Sequence, residues 1–448
     1  MSVLPTANSS LPAREGELVI QGAYAVTMDP GIGDIAKSRI TIKHGEIVAV
    51  EPADRPPQAG EIDGSGMIAL PGFVDTHWHL WSCALRGIHS YIDADFGYFP
   101  LTLRVGPLYS PLDSYRNVRL GLAEAMLTGI TTINNWAHNV LSPAHADAEV
   151  QAMAESGLRG RFSYGWGQNL STDVPMNSAD LARILEERIS ANELLSLGVA
   201  IRTPVAYQRG NVSLEILGKD WSAARKLGLP LTIHNRAGVV SLLENAGLLD
   251  SDLLLVHPQA FTKDEIEILA KRKVRISSSP VNENARGPNG PRGPIQLAAL
   301  LDAEVNCSIS IDEVVTNGKA DFFSVMREGI RADWQRAGEH TKFSPRRMLQ
   351  LATIDGARAL GLADRIGSLT PGKRADMILV RADDLNLTST VDDPSGMLVF
   401  SGQPNNVDTV MVDGRVLVAG GRFVHLDKAQ IHKDAVQSLA DLRARDRR

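Results

Sequence analysis

The chain has 448 residues, more than one small domain needs and enough for a large core with additions around it. Hydrophobic residues make up 44% and charged residues 22%, an ordinary globular balance, and the net charge of -6 offers no basic field for nucleic acid. No apolar run reaches the roughly 18 residues of a spanning helix, and residues 1–17 lack the basic-then-apolar order of a signal peptide.

In chain order, residues 16–68 come first, with Leu18-Val19-Ile20, Arg39-Ile40-Thr41-Ile42 and Ile47-Val48-Ala49-Val50 as short strands between Gly and Asp turns, without helices. From residue 69 the texture changes to a short β-rich run, a polar turn and a helical stretch, repeated. Eight strands are expected, at 69–76, 130–135, 161–164, 199–204, 229–235, 253–257, 274–279 and 305–312, with helices such as 114–127, 179–195, 214–226 and 263–271 between them.

Eight such units favour a closed (β/α)₈ barrel, a TIM barrel in the α/β class. The alternative, an open doubly wound sheet, ordinarily carries a glycine-rich turn after its first strand, where this chain has Asp75-Thr76-His77. After a helical stretch at 345–360, the strands return in 375–380, 409–412 and 416–418. Neither end has strands enough for its own core, so both are expected to close one small β-sandwich. The division expected is 1–68 and 366–427 for that β-domain, 69–365 for the barrel, and 428–448 as a charged surface helix or tail.

His77-Trp78-His79 places two imidazoles two residues apart at a strand end, on one face, where both can reach one cation. His234 and His257 end the fifth and sixth expected strands, and in a barrel all strand C-termini open on the same face. Asp312 ends the eighth, where a carboxylate can bind a metal and hydrogen-bond its water; its other reading is a helix N-cap. Asp63, Asp75, Asp376 and Asp383 read as turn or structural residues.

Around the mouth, Trp81 and Trp136 are placed to face a planar or apolar substrate, or else to pack within loops. Arg236 suits a substrate carboxylate or carbonyl, or an internal salt bridge. Residues 280–294, with Asn282 among them, form a polar Gly- and Pro-rich loop after the seventh strand, a lid or a long connection. The only cysteines, Cys83 and Cys307, form no CxxC pair, as in a reducing compartment; cytoplasm is expected, and Cys83 reads as a packing residue.

The run Gly72-Phe73-Val74-Asp75-Thr76-His77-Trp78-His79, the later His234, His257 and Asp312, and the closing Pro371-Gly372-Lys373-Arg374-Ala375-Asp376 resemble the amidohydrolase superfamily over nearly the whole chain. Leu85-Arg86-Gly87 and the mononuclear ligand order are similar to the branch of chlorotriazine hydrolases, S-adenosylhomocysteine-type deaminases and cytosine deaminases.

The resemblance implies His77, His79, His234 and Asp312 as ligands of one divalent metal ion, zinc or else ferrous iron, with His257 beside the metal-bound water. It also implies the flanking β-sandwich and a homo-oligomer, dimer or tetramer. No lysine stands at the fourth strand end, where Arg202-Thr203-Pro204 is found, so a metal-bridging lysine is not expected.

The expected reaction is attack of a metal-bound hydroxide on a non-peptide C–N bond of a small, planar or aromatic molecule. Asp312 shuttles the proton and His257 steadies the oxyanion. Deaminases of this branch carry a glutamate three residues after the third histidine, and here that residue is Ala237. Amide, urea or carbamate hydrolysis is therefore placed ahead of ring deamination, for which Glu283 or Glu313 would have to substitute; Glu244 is expected to face away. A non-catalytic scaffold is the opposing class, disfavoured because all four ligands are present.

Overall fold

In the computed structural model, residues 11–14, 16–167, 170–204, 212–285, 293–338, 341–388 and 393–446 are described. Eight parallel strands run in sequence order: Phe73–Trp78, Ile130–Ala137, Arg159–Gly165, Leu195–Ile201, Leu231–His234, Leu253–Val256, Arg275–Ser278 and Cys307–Ile309. Each pairs with the next. The ring closes through backbone just past the last strand, where Asp312 N–H donates to His77 O at 2.8 Å and His79 N–H to Asp312 O at 2.7 Å.

The helices between strands start where capping chemistry allows. Pro111–Leu127 opens with a reciprocal box between Ser110 and Asp113, and Lys263–Arg272 with one between Thr262 and Glu265. The expected helix 179–195 is shorter, Ser178–Ile184 followed by one wider turn at Leu185–Ile189. Inside the barrel a chain of buried hydroxyls links the first, seventh and eighth strands and the residues just past the last two. Thr76 pairs with Ser277 at 2.7 Å and Ser308 at 2.9 Å, and Ser310 bridges Ser277 at 3.0 Å and Ser279 at 2.8 Å. Each of these hydroxyls thereby has a hydrogen-bond partner.

Both chain ends join one nine-stranded mixed sheet beside the barrel. Met67–Pro71 is its seam, parallel to Glu17–Ala25 from the N-terminal part and antiparallel to Met377–Arg381 from the C-terminal part. Ile20, Ile40, Ile42, Ile47, Met377 and Met411 form its own apolar cluster.

The single strand expected at 69–76 is thus two strands in two sheets, broken at Gly72. A Cβ at Gly72 would lie 2.1 Å from the Thr131 side chain, so only glycine lets the chain cross here. Asp376 fastens the junction. Its backbone carbonyl accepts from Gly72 N–H at 3.0 Å, and its carboxylate takes a two-point contact from buried Arg159, at 2.6 and 3.0 Å.

The C-terminal helix Lys428–Arg445 is docked rather than frayed. Leu442 is fully buried in a cluster with Trp81, Leu101 and Tyr109, and Arg445 meets the buried Asp113 carboxylate at 2.7 Å. No helix among the described residues is long and apolar enough to cross a membrane.

Candidate active site

The C-terminal strand ends bring His77, His79, His234 and Asp312 to one point, with a donor atom of each within 4.8 Å of every other. His77 Nε2 lies 3.1 Å and His79 Nε2 3.3 Å from Asp312 Oδ1. Much of this geometry is backbone in origin. The barrel-closing bonds tie Asp312 directly to His77 and His79, and Asp75, buried between them, accepts from His77 N–H and Ile311 N–H at 2.9 Å each. Asp75 is thus a structural brace, its carboxyl raised well above the usual range by burial.

The donor set fits a divalent cation. Burial, and then crowding by neighbouring imidazoles, lowers His234 well below its ordinary value. The same burial and the crowding of His79 and His257 take His77 down to about 3 against the pull of Asp312. Neutral rings with free lone pairs are what a metal requires of histidine. Burial works to raise Asp312, but hydrogen bonds from His77 and His79 and the nearness of His257 hold it well below the carboxylate range. Three imidazole nitrogens and one anionic oxygen suit a zinc-like ion.

Asp312 and His257 both adopt left-handed backbone, with φ of 67° and 74°. Conformations uncommon for residues with a Cβ sit here at the two strand ends that turn into the site. Asp312 Oδ2 accepts from Asn282 Nδ2 at 2.8 Å and lies 4.0 Å from His257 Nε2. Asn282 and Glu283 belong to one short helical turn, Pro280–Glu283, directly after the seventh strand. The following residues of the polar loop expected to act as a lid, 286–292, lie outside the described residues.

A cavity of about 680 Å³ opens over the cluster, a size for a small organic molecule. Trp136 lines it, its ring 4.1 Å from that of His234, and Arg236 and Asn282 also line it. Trp81 does not. It is fully buried one layer behind, its indole N–H 3.4 Å from His138 Nδ1, because the turn Leu80–Gly87 folds back under the mouth. His138, Tyr98, Phe99 and Trp166 line the cavity and went unnoticed in the sequence. His138 follows the second strand closely enough for the strand-end rule to have found it, whereas Tyr98 and Phe99 arrive on a helix folded over the mouth.

Of the carboxylates considered, Glu313 lines the cavity. Burial and the charge of Asp312 push it up to about 7, and Thr316 donates to it through both hydroxyl and backbone. Glu283 is not on the wall; its carboxylate turns back to His257. Glu244 pairs with Arg272 at 2.7 Å on the barrel exterior. Arg202 is committed to Asp220 at 2.6 Å, and no lysine is among the described residues lining the cavity. Burial raises the Cys83 thiol far above its ordinary value, which suits packing and not nucleophilic chemistry.

Comparison with known proteins gives a consistent picture. The sequence profile of the amidohydrolase family matches residues 68–417. The chain is 27% identical to the 5'-deoxyadenosine deaminase of Methanosarcina mazei, over 96% of this chain and 99% of that protein. It is 28% identical to the 5-methylthioadenosine/S-adenosylhomocysteine deaminase of Moorella thermoacetica, over 95% and 99%. Among solved structures, an adenosine deaminase from Xanthomonas campestris with bound zinc superposes with a TM-score of 0.81 at 23% identity, covering 95% of this chain and 98% of that one. The zinc complex of atrazine chlorohydrolase from Arthrobacter aurescens gives 0.78 at 22%, covering 94% and 100%.

Proposed function

We infer the reaction from the family outward: the chain belongs to the amidohydrolase family and is an enzyme, a metal-dependent hydrolase of carbon–nitrogen bonds other than peptide bonds. The substrate we propose is a small, flat nitrogen heterocycle, and the reaction is hydrolytic loss of an exocyclic nitrogen from its ring. The observation that carries this reading is the convergence of His77, His79, His234 and Asp312 under a cavity walled by Trp136, Tyr98 and Phe99. The adenosine-type deaminases among its relatives support the same substrate class.

His77, His79, His234 and Asp312 would hold one divalent ion, zinc first and ferrous iron as the alternative. Such an ion supplies an activated water near neutral pH and polarises the carbon under attack. Asp312 takes the proton of the attacking water and returns it to the departing nitrogen, while Asn282 holds its second oxygen in place. His257 faces the same point from the sixth strand. Trp136 offers a flat apolar face, and Arg236 a donor for a carbonyl or carboxylate.

Ala237 favours a second reading, hydrolysis of an amide, urea or carbamate, because no carboxyl follows His234 at the position from which a ring nitrogen would be protonated. On the first reading Glu313, next to Asp312 and on the cavity wall, takes that place. We further propose a cytoplasmic homo-oligomer, dimer or tetramer, which sedimentation of the purified chain tests.

The deciding experiment incubates the metal-loaded protein with aminopyrimidines, aminopurines and aminotriazines, and separately with aryl amides, ureas and carbamates, scoring ammonia apart from larger amines. Ammonia from a ring amine supports the first reading, and amine release from the acyl compounds alone assigns the second. No turnover in either set, with metal near one equivalent, overturns both.

A further inference from the structure

The ring of His257 is held by its far edge. Nδ1 lies 2.9 Å from Glu283 Oε1, while Nε2 looks toward Asp312 Oδ2 at 4.0 Å. Glu283 is buried, and its carboxylate has two further neighbours. The backbone N–H of Ser279 donates to Oε1 at 2.8 Å and the hydroxyl of Ser278 to Oε2 at 2.6 Å. Oε1 already accepts from the Ser279 amide, so the arrangement suits an N–H on the ring edge that His257 turns toward it.

From this arrangement we propose that Glu283 is a positioning residue: it locks His257 in the tautomer with hydrogen on Nδ1 and leaves Nε2, as an acceptor, facing the cavity beside Asp312. In that tautomer Nε2 takes a hydrogen bond from the attacking water or from the substrate's amino group, instead of donating one to an oxyanion as the sequence suggested. A second feature points the same way. The residue before it, Asn282, donates to Asp312 Oδ2 at 2.8 Å. One turn, Pro280–Glu283, therefore orients both the carboxylate proposed to move the proton and the imidazole beside it. Second partners of this kind fix ring orientation, and their loss typically costs about 10- to 100-fold in activity or metal affinity.

The kinetic arm of the test rests on the hydrolase reading above; the spectroscopic arm does not. Zinc-loaded protein labelled with 15N-histidine is compared as wild type, Glu283→Gln and Glu283→Ala by long-range 1H–15N correlation of the imidazoles. His257 should carry its hydrogen on Nδ1 in the wild type and in Glu283→Gln, whose amide oxygen still accepts from Ser279 and His257. In Glu283→Ala that preference is lost.

With a compound that the screen shows to turn over, Glu283→Ala should lower kcat by roughly 10- to 100-fold. KM should stay within about threefold, zinc at one equivalent, and Glu283→Gln should recover most of the loss. Hydrogen on Nε2 in the wild type overturns the proposal, as does a Glu283→Ala protein with unchanged tautomer and kcat. Zinc loss parallel to the kcat loss also overturns it, by assigning Glu283 to the integrity of the site instead. If nothing in the screen turns over, the hydrolase reading falls while the tautomer still decides the role of Glu283.

Discussion

Replacing Glu149 by Gln should make the protein's stability less sensitive to alkaline pH. Glu149 sits fully buried on the helix Pro143–Ser156, where Asn135 Nδ2 donates to its Oε2 at 2.9 Å. Its Oε1 and the Asn135 Oδ1 are buried without partners, a situation that a proton on the carboxyl relieves and a negative charge worsens. Burial, only partly offset by Asn135, raises the group from 4.5 to about 8. Because the folded value lies above the unfolded one, the folded chain holds the extra proton between them. The stability contribution is intact below 4.5, shrinks as pH rises and is gone above about 8.

That separation is worth about 5 kcal/mol as an upper estimate. With about 0.9 kcal/mol/K of unfolding entropy for 448 residues, it corresponds to about 5 °C in Tm. Metal binding and the other titrating groups also respond to pH, so the quantity to measure is the Tm difference between Glu149→Gln and wild type, both metal-loaded, from pH 5 to pH 8.5. The difference should grow in favour of Glu149→Gln across that interval. A difference that stays constant refutes the assignment of a proton to the buried carboxyl.

Asp312→Asn keeps the shape of the side chain but removes its charge and its capacity to take a proton. kcat should fall by about 10³-fold or more with the fold intact by circular dichroism. Asp376→Ala leaves the Arg159 guanidinium buried without its two-point partner, and should cost about 3–5 kcal/mol in denaturant unfolding with little change in KM. Leu442→Ala opens a hole beside Trp81 and Tyr109, and should cost about 2–5 kcal/mol. An unchanged Tm would return the C-terminal helix to the status of a loose tail.

The alternation of strands and helices, the His-x-His pair and the strand-end positions of His234, His257 and Asp312 were legible because each depends on local periodicity, and barrel geometry turns position along a strand into position at the mouth. What was not legible depends on partners far away in sequence. Residues 69–76 read as one apolar run, and nothing local reveals that Gly72 hands the chain from one sheet to another under Thr131. Trp81 has the composition of a cavity wall, but the turn it sits on folds away. Glu283 looked like a spare acid, and only the packing of the Pro280–Glu283 turn shows its carboxylate already occupied by Ser278, Ser279 and the ring of His257.

The same distinction separates the reaction from its substrate. Three of the four donors are set by the elements that close the barrel: Asp312 bonds through its backbone to His77 and His79, and Asp75 clasps the amides on both sides of the seam, while His234 ends the fifth strand. A shift of this cluster would have to open the ring itself, so its geometry is as rigid as the fold. Tyr98, Phe99, Trp166 and Arg236 stand instead on the helix and loops above the strand ends, where substitutions leave the barrel bonds untouched. The metal-ligand cluster at the strand ends and the cavity wall on the connections can therefore change independently, so one class of bond cleavage can serve different molecules on the same barrel.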